Sequence, residues 1–197
     1  IGLNKSQLLT DFPNYTYILP NYYEFKGPAS LTTHVNNGSV GYAARAETRK
    51  CLHWMHGIEK GFALTGQFDV KNLRDTTPFQ LQSTDIYQWD PKIKQAFFGK
   101  NWGIFHGAYF REPFGYSIFE ALDYGKLPII NTDYATEVDY KYRAGSKNEF
   151  DNCIKEIIND SQEEREEERN KLITYLKKYD NKKEWVDQIR TQLLSFW

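Results

Sequence analysis

Residues 101–131, NWGIFHGAYFREPFGYSIFEALDYGKLPIIN, constrain the fold more than any other stretch. A short apolar run at 101–105 leads into the loop 107–113, bounded by Gly107 and Pro113. Residues 115–124 then carry Ile118, Phe119, Ala121 and Leu122 at helical spacing, with Gly125 as a stop and a second apolar run at 127–131. Strand, helix and strand in such close succession read as a parallel βαβ unit. Similar pieces precede it. Residues 16–19 (TYIL), closed by Pro20-Asn21, read as a strand entering a turn, and 40–44 and 63–64 lie in further apolar runs. Between those two, 47–60 has helical length, with Leu52, Met55 and Glu59 in step. Residues 69–91 are polar and weakly patterned, and no element is assigned there. The fold class expected is α/β, a Rossmann-like parallel sheet flanked by helices.

The last quarter reads as helix, at 151–158 and 161–179, and Glu167 with Lys171 makes a favourable i,i+4 pair. The charge run 163–169 reads as a solvated helix face. Val186, Ile189, Leu193 and Trp197 form one stripe of a terminal helix.

With 197 residues and 23.2 kDa the chain has room for one sizeable core, so 1–197 is read as a single domain. Its 25 basic and 26 acidic residues argue against a dominant nucleic-acid footprint, though a local basic cleft stays open. Cys51 and Cys153 are too few for a disulfide scaffold, which points to a reducing compartment. No run approaches the ~20 apolar residues of a membrane span, and residues 1–9 lack the pattern of a signal peptide. The expected location is the cytoplasm. A start at Ile1 reads as an excised domain.

The chemistry concentrates in 111–133. Glu112 and Glu120 have seven residues between them, Phe114-Gly115 opens the helix, and Gly125-Lys126-Leu127-Pro128 closes it into the next strand. In this the sequence resembles the E-x7-E signature of family 4 and related GT-B glycosyltransferases. A helix start at Phe114, Gly115, Tyr116 and Ser117 presents backbone N–H groups and a positive dipole end, which suit a phosphate or sugar hydroxyls. Glu120 can accept two hydrogen bonds from a ribose diol, and Glu112 can accept from hydroxyls of the transferred sugar. As bare carboxylates both are also compatible with surface or capping roles.

A second block, 39–55 (SVGYAARAETRKCLHWM), runs from an apolar strand through basic residues toward a helix. In the family a similar strand is followed by an arginine and, five positions on, a lysine that hold the donor pyrophosphate. Arg45 and Lys50 have that separation, and Arg49 competes for either role. Cys51 stands where the family usually has glycine. Two cations beside the leaving diphosphate would offset the charge that grows on it as the glycosidic bond breaks. Leu19-Pro20-Asn21 resembles the family's opening turn, while 134–137 lacks the glycines of its Gly-Gly-x-Pro-Glu loop.

The resemblance implies the C-terminal, nucleotide-sugar-binding half of a GT-B enzyme. It implies retaining transfer of a hexose from a UDP-, GDP- or ADP-sugar, with no bound metal or other cofactor. The acceptor, a glycan or nucleic acid, would be held by an N-terminal domain outside this chain, to which the last helix often reaches. A non-catalytic sugar-nucleotide-binding or assembly module of the same fold is the alternative. His53, His56 and Glu59 share a helical spacing but lack a fourth metal ligand. His106 is expected near the carboxyl edge of the sheet, where ligands bind in open α/β folds, or else as a packed or solvent-facing histidine. Neither a Walker loop nor a GxGxxG is present.

Overall fold

The computed structural model describes residues 22–26, 39–44, 50–55, 57–58, 61–65, 84–88, 91–106 and 114–194. Five strands form one sheet: β1 (Ser39–Ala43), β2 (Gly61–Thr65), β3 (Thr84–Gln88), β4 (Asn101–His106) and β5 (Leu127–Ile130). Their order is β3-β2-β1-β4-β5, and every neighbouring pair is parallel. The runs at 40–44, 63–64, 101–105 and 127–131 are therefore strands, with ends shifted by a residue or two. The expected strand at 16–19 lies outside the described residues.

Two elements fall where the sequence offered no assignment. One is β3, whose alternation is weak. The other is α1 (Pro91–Lys100), which opens on a proline in its first turn, where the missing N–H costs nothing. Its Phe97 and Phe98 form a small core with Ala121, against which Ala43, Ile93 and Tyr124 pack. Val40 and Tyr42, on the opposite face of β1, belong to the larger core with Leu52, Trp54, Met55, Ile118, Phe119, Ile129, Phe150 and Leu172. Both faces of the sheet are thus covered, as a parallel sheet requires.

The expected helix at 47–60 is corrected. Its described part is a 3-10 turn, Leu52–Met55, because Cys51 has φ 59 and Gly57 φ 82, left-handed conformations that an α-helix cannot run through. The helix after β4 forms as α2 (Tyr116–Asp123), which buries Ile118, Phe119, Ala121 and Leu122 and ends at Gly125 with φ 68. A parallel bridge from Ile130 to Arg143 extends pairing at β5. In it the Ile130 N–H donates to the Tyr142 carbonyl at 3.1 Å and the Ala144 N–H to the Ile130 carbonyl at 2.8 Å.

The C-terminal third is helical, with α3 (Lys147–Asn159), α4 (Gln162–Leu176), a 3-10 turn (Lys177–Tyr179) and α5 (Lys182–Leu194). Ser146 and Ser161 cap α3 and α4 through side chains that accept from Glu149 and Glu164 N–H groups. The Glu167–Lys171 pair forms at 3.2 Å. The run 163–169 is not simply a solvated face, because Arg165, Glu168 and Arg169 are buried. Arg165 Nη1 donates to the Ile157 and Asp160 carbonyls at 3.0 and 2.6 Å, and Arg169 Nη2 to the Leu122 carbonyl at 2.8 Å. These carbonyls lie in the last turns of α3 and α2, where carbonyls run out of intrahelical partners, and Leu122 also accepts the Gly125 N–H at 3.0 Å. Among the described residues no helix is long and apolar enough to cross a membrane.

Candidate functional site

The strand order decides where a ligand can enter. The chain runs from β1 outward to β2 and β3, then returns to lay β4 on the other side of β1. β1 and β4 are therefore the strands at which the order reverses, and open α/β sheets bind ligands in the crevice outside the carboxyl ends of such strands. Tyr42 is in register with Phe105, so the two exits begin side by side. His106 is in register with Ile130, which brings the exit of β5 next to them.

Both sequence blocks leave the sheet at this edge. From β1 the chain passes to Lys50, which is half-buried, and to Cys51, which is fully buried with its thiol pushed up to about 12 by desolvation. The φ of 59 at Cys51 is a backbone conformation that glycine adopts without cost, and glycine is the residue the sequence resemblance leads one to expect here. Arg45 and Arg49 lie outside the described residues. His53 is half-buried, and burial lowers its pKa below the usual histidine range.

From β4 the described chain resumes at Phe114. Phe114 is buried, stacked on Phe119 at 4.6 Å and edge-on to Tyr116 at 4.7 Å, which fixes how the chain enters α2. Gly115 is the N-cap in the left-handed region (φ 74, ψ 57) and brings no side-chain cap. The first turn of α2, with Tyr116 exposed and Ser117 half-buried, follows β4 at the carboxyl edge of the sheet and has no side-chain cap from its N-cap residue, so its dipole end is not neutralised from within the helix. Glu120 lies one turn on, on the same helix face as Tyr116. Its Oε1 accepts from Lys94 Nζ of α1, with the two side chains 22% and 23% exposed. Glu112, His56 and Glu59 are outside the described residues, as is the side chain of His106.

Further groups border the site that the sequence did not reveal. Tyr134, in the loop that follows β5, donates its hydroxyl to the Phe114 carbonyl at 2.6 Å. Arg143 holds that same loop through its backbone carbonyls. Tyr23 donates to Asp123 Oδ2 at 2.7 Å and packs on Phe119 at 4.8 Å, tying residues 22–26 to the end of α2. The helix that carries Lys94 has a signal in Pro91 followed by Ile93 and Phe97 four residues apart, but the pairing of Lys94 with Glu120 has none. Arg143 has no such signal, since carbonyls at varied distances along the chain leave no pattern in side chains. Among the described residues no group of three or more His, Cys, Asp or Glu is placed to hold a metal ion.

HepE of Anabaena, solved with UDP and glucose, superposes on 91% of this chain and 57% of its own with a TM-score of 0.65 at 19% identity. A second structure of HepE carries UDP-glucose. The trehalose-6-phosphate synthase OtsA matches over 90% of this chain and 50% of its own, with a TM-score of 0.64 at 12% identity. WaaG, a glycosyltransferase of lipopolysaccharide biosynthesis, matches over 97% and 60%, with a TM-score of 0.61 at 8% identity. The chain shares the fold of one part of these GT-B structures. It spans between 50% and 60% of the length of these structures. No family model matches the chain, and no curated protein does.

Proposed function

We propose that this chain is the donor-binding half of a retaining GT-B glycosyltransferase similar to family 4, transferring a hexose from a UDP-, GDP- or ADP-sugar. One observation carries the reading. The two segments singled out for a nucleotide sugar, 45–50 and 112–120, follow β1 and β4, the strands between which the sheet order reverses. HepE, which shares the fold, is solved with UDP-glucose, and this supports the choice of ligand class.

In this reading Lys50 and Arg45 face the diphosphate, and the backbone N–H groups at the start of α2 share its charge. Glu120 accepts from the ribose, and Glu112 from hydroxyls of the sugar. As the glycosidic bond breaks, charge moves onto the diphosphate, and fixed cations and dipoles stabilise that state more than the ground state. The reaction as proposed needs no metal or other cofactor. The acceptor, a glycan or a nucleic acid, is assigned to an N-terminal domain, against which the C-terminal helix would rest. We assign the protein to the cytoplasm.

The glycine-free loop at 134–137 favours a second reading, a module that keeps the fold without transfer chemistry. Calorimetric titration with UDP-, GDP- and ADP-glucose tests the proposal. Micromolar-to-millimolar binding of one donor is expected, with at most slow donor hydrolysis, because an unconfined acceptor forfeits positioning that contributes ~7–11 kcal/mol. A chain that binds none of the three has lost the site, and robust transfer by this chain alone contradicts the half-enzyme reading.

A further inference from the structure

One side chain makes five hydrogen bonds to the loop after β5. Arg143 is half-buried and has five N–H groups, each matched by a carbonyl. Nε donates to the Tyr140 carbonyl at 3.0 Å. Nη1 donates to those of Thr132 (3.5 Å) and Tyr134, and Nη2 to those of Ala135 (2.6 Å) and Val138 (2.8 Å). Ala135 is kept at φ 50, a left-handed conformation that a non-glycine residue adopts only when its surroundings impose it. Two further bonds anchor the loop from outside. The Tyr134 hydroxyl donates to the Phe114 carbonyl, and the Tyr175 hydroxyl to Glu137 Oε2 at 2.6 Å.

This loop leaves the same sheet edge as the two exits that form the crevice, and it is bonded to the residue immediately before Gly115. Glu120 lies on the other side of the helix start from that bond, one turn along α2. With ribose at Glu120 and diphosphate at the first turn, the group beyond the diphosphate extends toward the Tyr134 side. We infer that Arg143 and Tyr134 are positioning residues for the transferred sugar: Arg143 shapes the loop 131–140 that walls the glycosyl subsite, and Tyr134 locks this wall to the start of α2. The inference rests on the donor-site reading above. An arginine drawing five carbonyls inward fixes a backbone shape that a glycine-rich loop would otherwise reach through its own freedom.

The test compares each nucleoside diphosphate with its glucose conjugate, for UDP, GDP and ADP, on the wild-type chain, Tyr134→Phe and Arg143→Lys. For the pair that binds, both variants should bind the bare diphosphate within about twofold of wild type. Their preference for the conjugate should fall roughly fivefold, the worth of about one hydrogen bond. Tyr134→Phe removes a single hydroxyl and decides the matter if Arg143→Lys fails to fold. Equal losses for conjugate and diphosphate, no loss for either, or a wild-type chain that holds the two equally would overturn the inference and leave the donor site standing. A wild-type chain that binds none of the six ligands overturns the donor-site reading and this inference with it.

Discussion

The exits of β1 and β4 solve the same problem with different residues. Each strand runs toward a short helical element, and each path includes a residue in the left-handed region. At β4 that residue is Gly115, which takes φ 74 without steric cost and opens α2. At β1 it is Cys51, fully buried at φ 59, a conformation that costs an ordinary residue about 1–2 kcal/mol. Cys51 meets the conformational demand by packing, held among the core residues that include Leu52, Trp54 and Met55. The two exits thus reach a left-handed turn by different means, glycine's freedom at one and core packing at the other.

The comparison breaks most visibly at the ligand contacts. Glu120→Ala should weaken binding of the nucleotide by ~1.5–3 kcal/mol, since it removes hydrogen bonds to a charged acceptor. On the β1 side, Lys50→Ala should weaken a nucleoside diphosphate and leave the bare nucleoside nearly unaffected, because only the former carries the charge. Calorimetry on both variants checks the pair. Unchanged affinity in a folded Glu120→Ala, or equal losses for the two ligands in Lys50→Ala, would dissolve the division of labour between the exits.

A smaller effect is expected in the turns themselves. Gly115→Ala should destabilise the chain by ~1–2 kcal/mol in urea, because alanine must then hold φ 74. A stability unchanged by that substitution would mean that the start of α2 relaxes freely.

The smallest effect is the most discriminating. Glycine ordinarily costs ~0.5–1 kcal/mol relative to alanine in regular structure. At position 51 the order should reverse, with Cys51→Gly at least as stable as Cys51→Ala, because only glycine relieves the backbone while both lose the thiol's packing. The thiol also sets a pH dependence. Its folded pKa of about 12 lies above the unfolded value of roughly 8.5, so the native state binds more protons between them. That contribution is complete below about pH 8.5 and is lost as pH rises toward 12. Alkaline urea titrations of Cys51→Ala should therefore fall less steeply than those of the wild type.

The β4 side was legible in the sequence because its determinants are local. A helical stripe, Phe114-Gly115 at its head and Gly125 at its foot specify α2 within one stretch, and the strands on either side are plain apolar runs. The β1 side was legible only as charge and spacing, and the helix expected beyond it failed because nothing about a cysteine announces φ 59. Polarity hid β3. Lys94, Tyr134 and Arg143 reach the site edge through tertiary contacts with Glu120, Phe114 and the loop carbonyls, and no periodicity in the chain encodes such partners. The inward turn of Arg165 and Arg169 was missed for the same reason, since the carbonyls they satisfy belong to the ends of other helices.

The central claim is that the crevice between the exits of β1 and β4 holds a nucleoside diphosphate, and a crystal structure of the chain with its bound nucleotide tests it most directly. The account predicts the diphosphate against the first turn of α2 beside Lys50, with a ribose hydroxyl within hydrogen-bond distance of Glu120. A nucleotide bound away from this edge of the sheet, or one whose ribose lies against neither Glu120 nor α2, would contradict it.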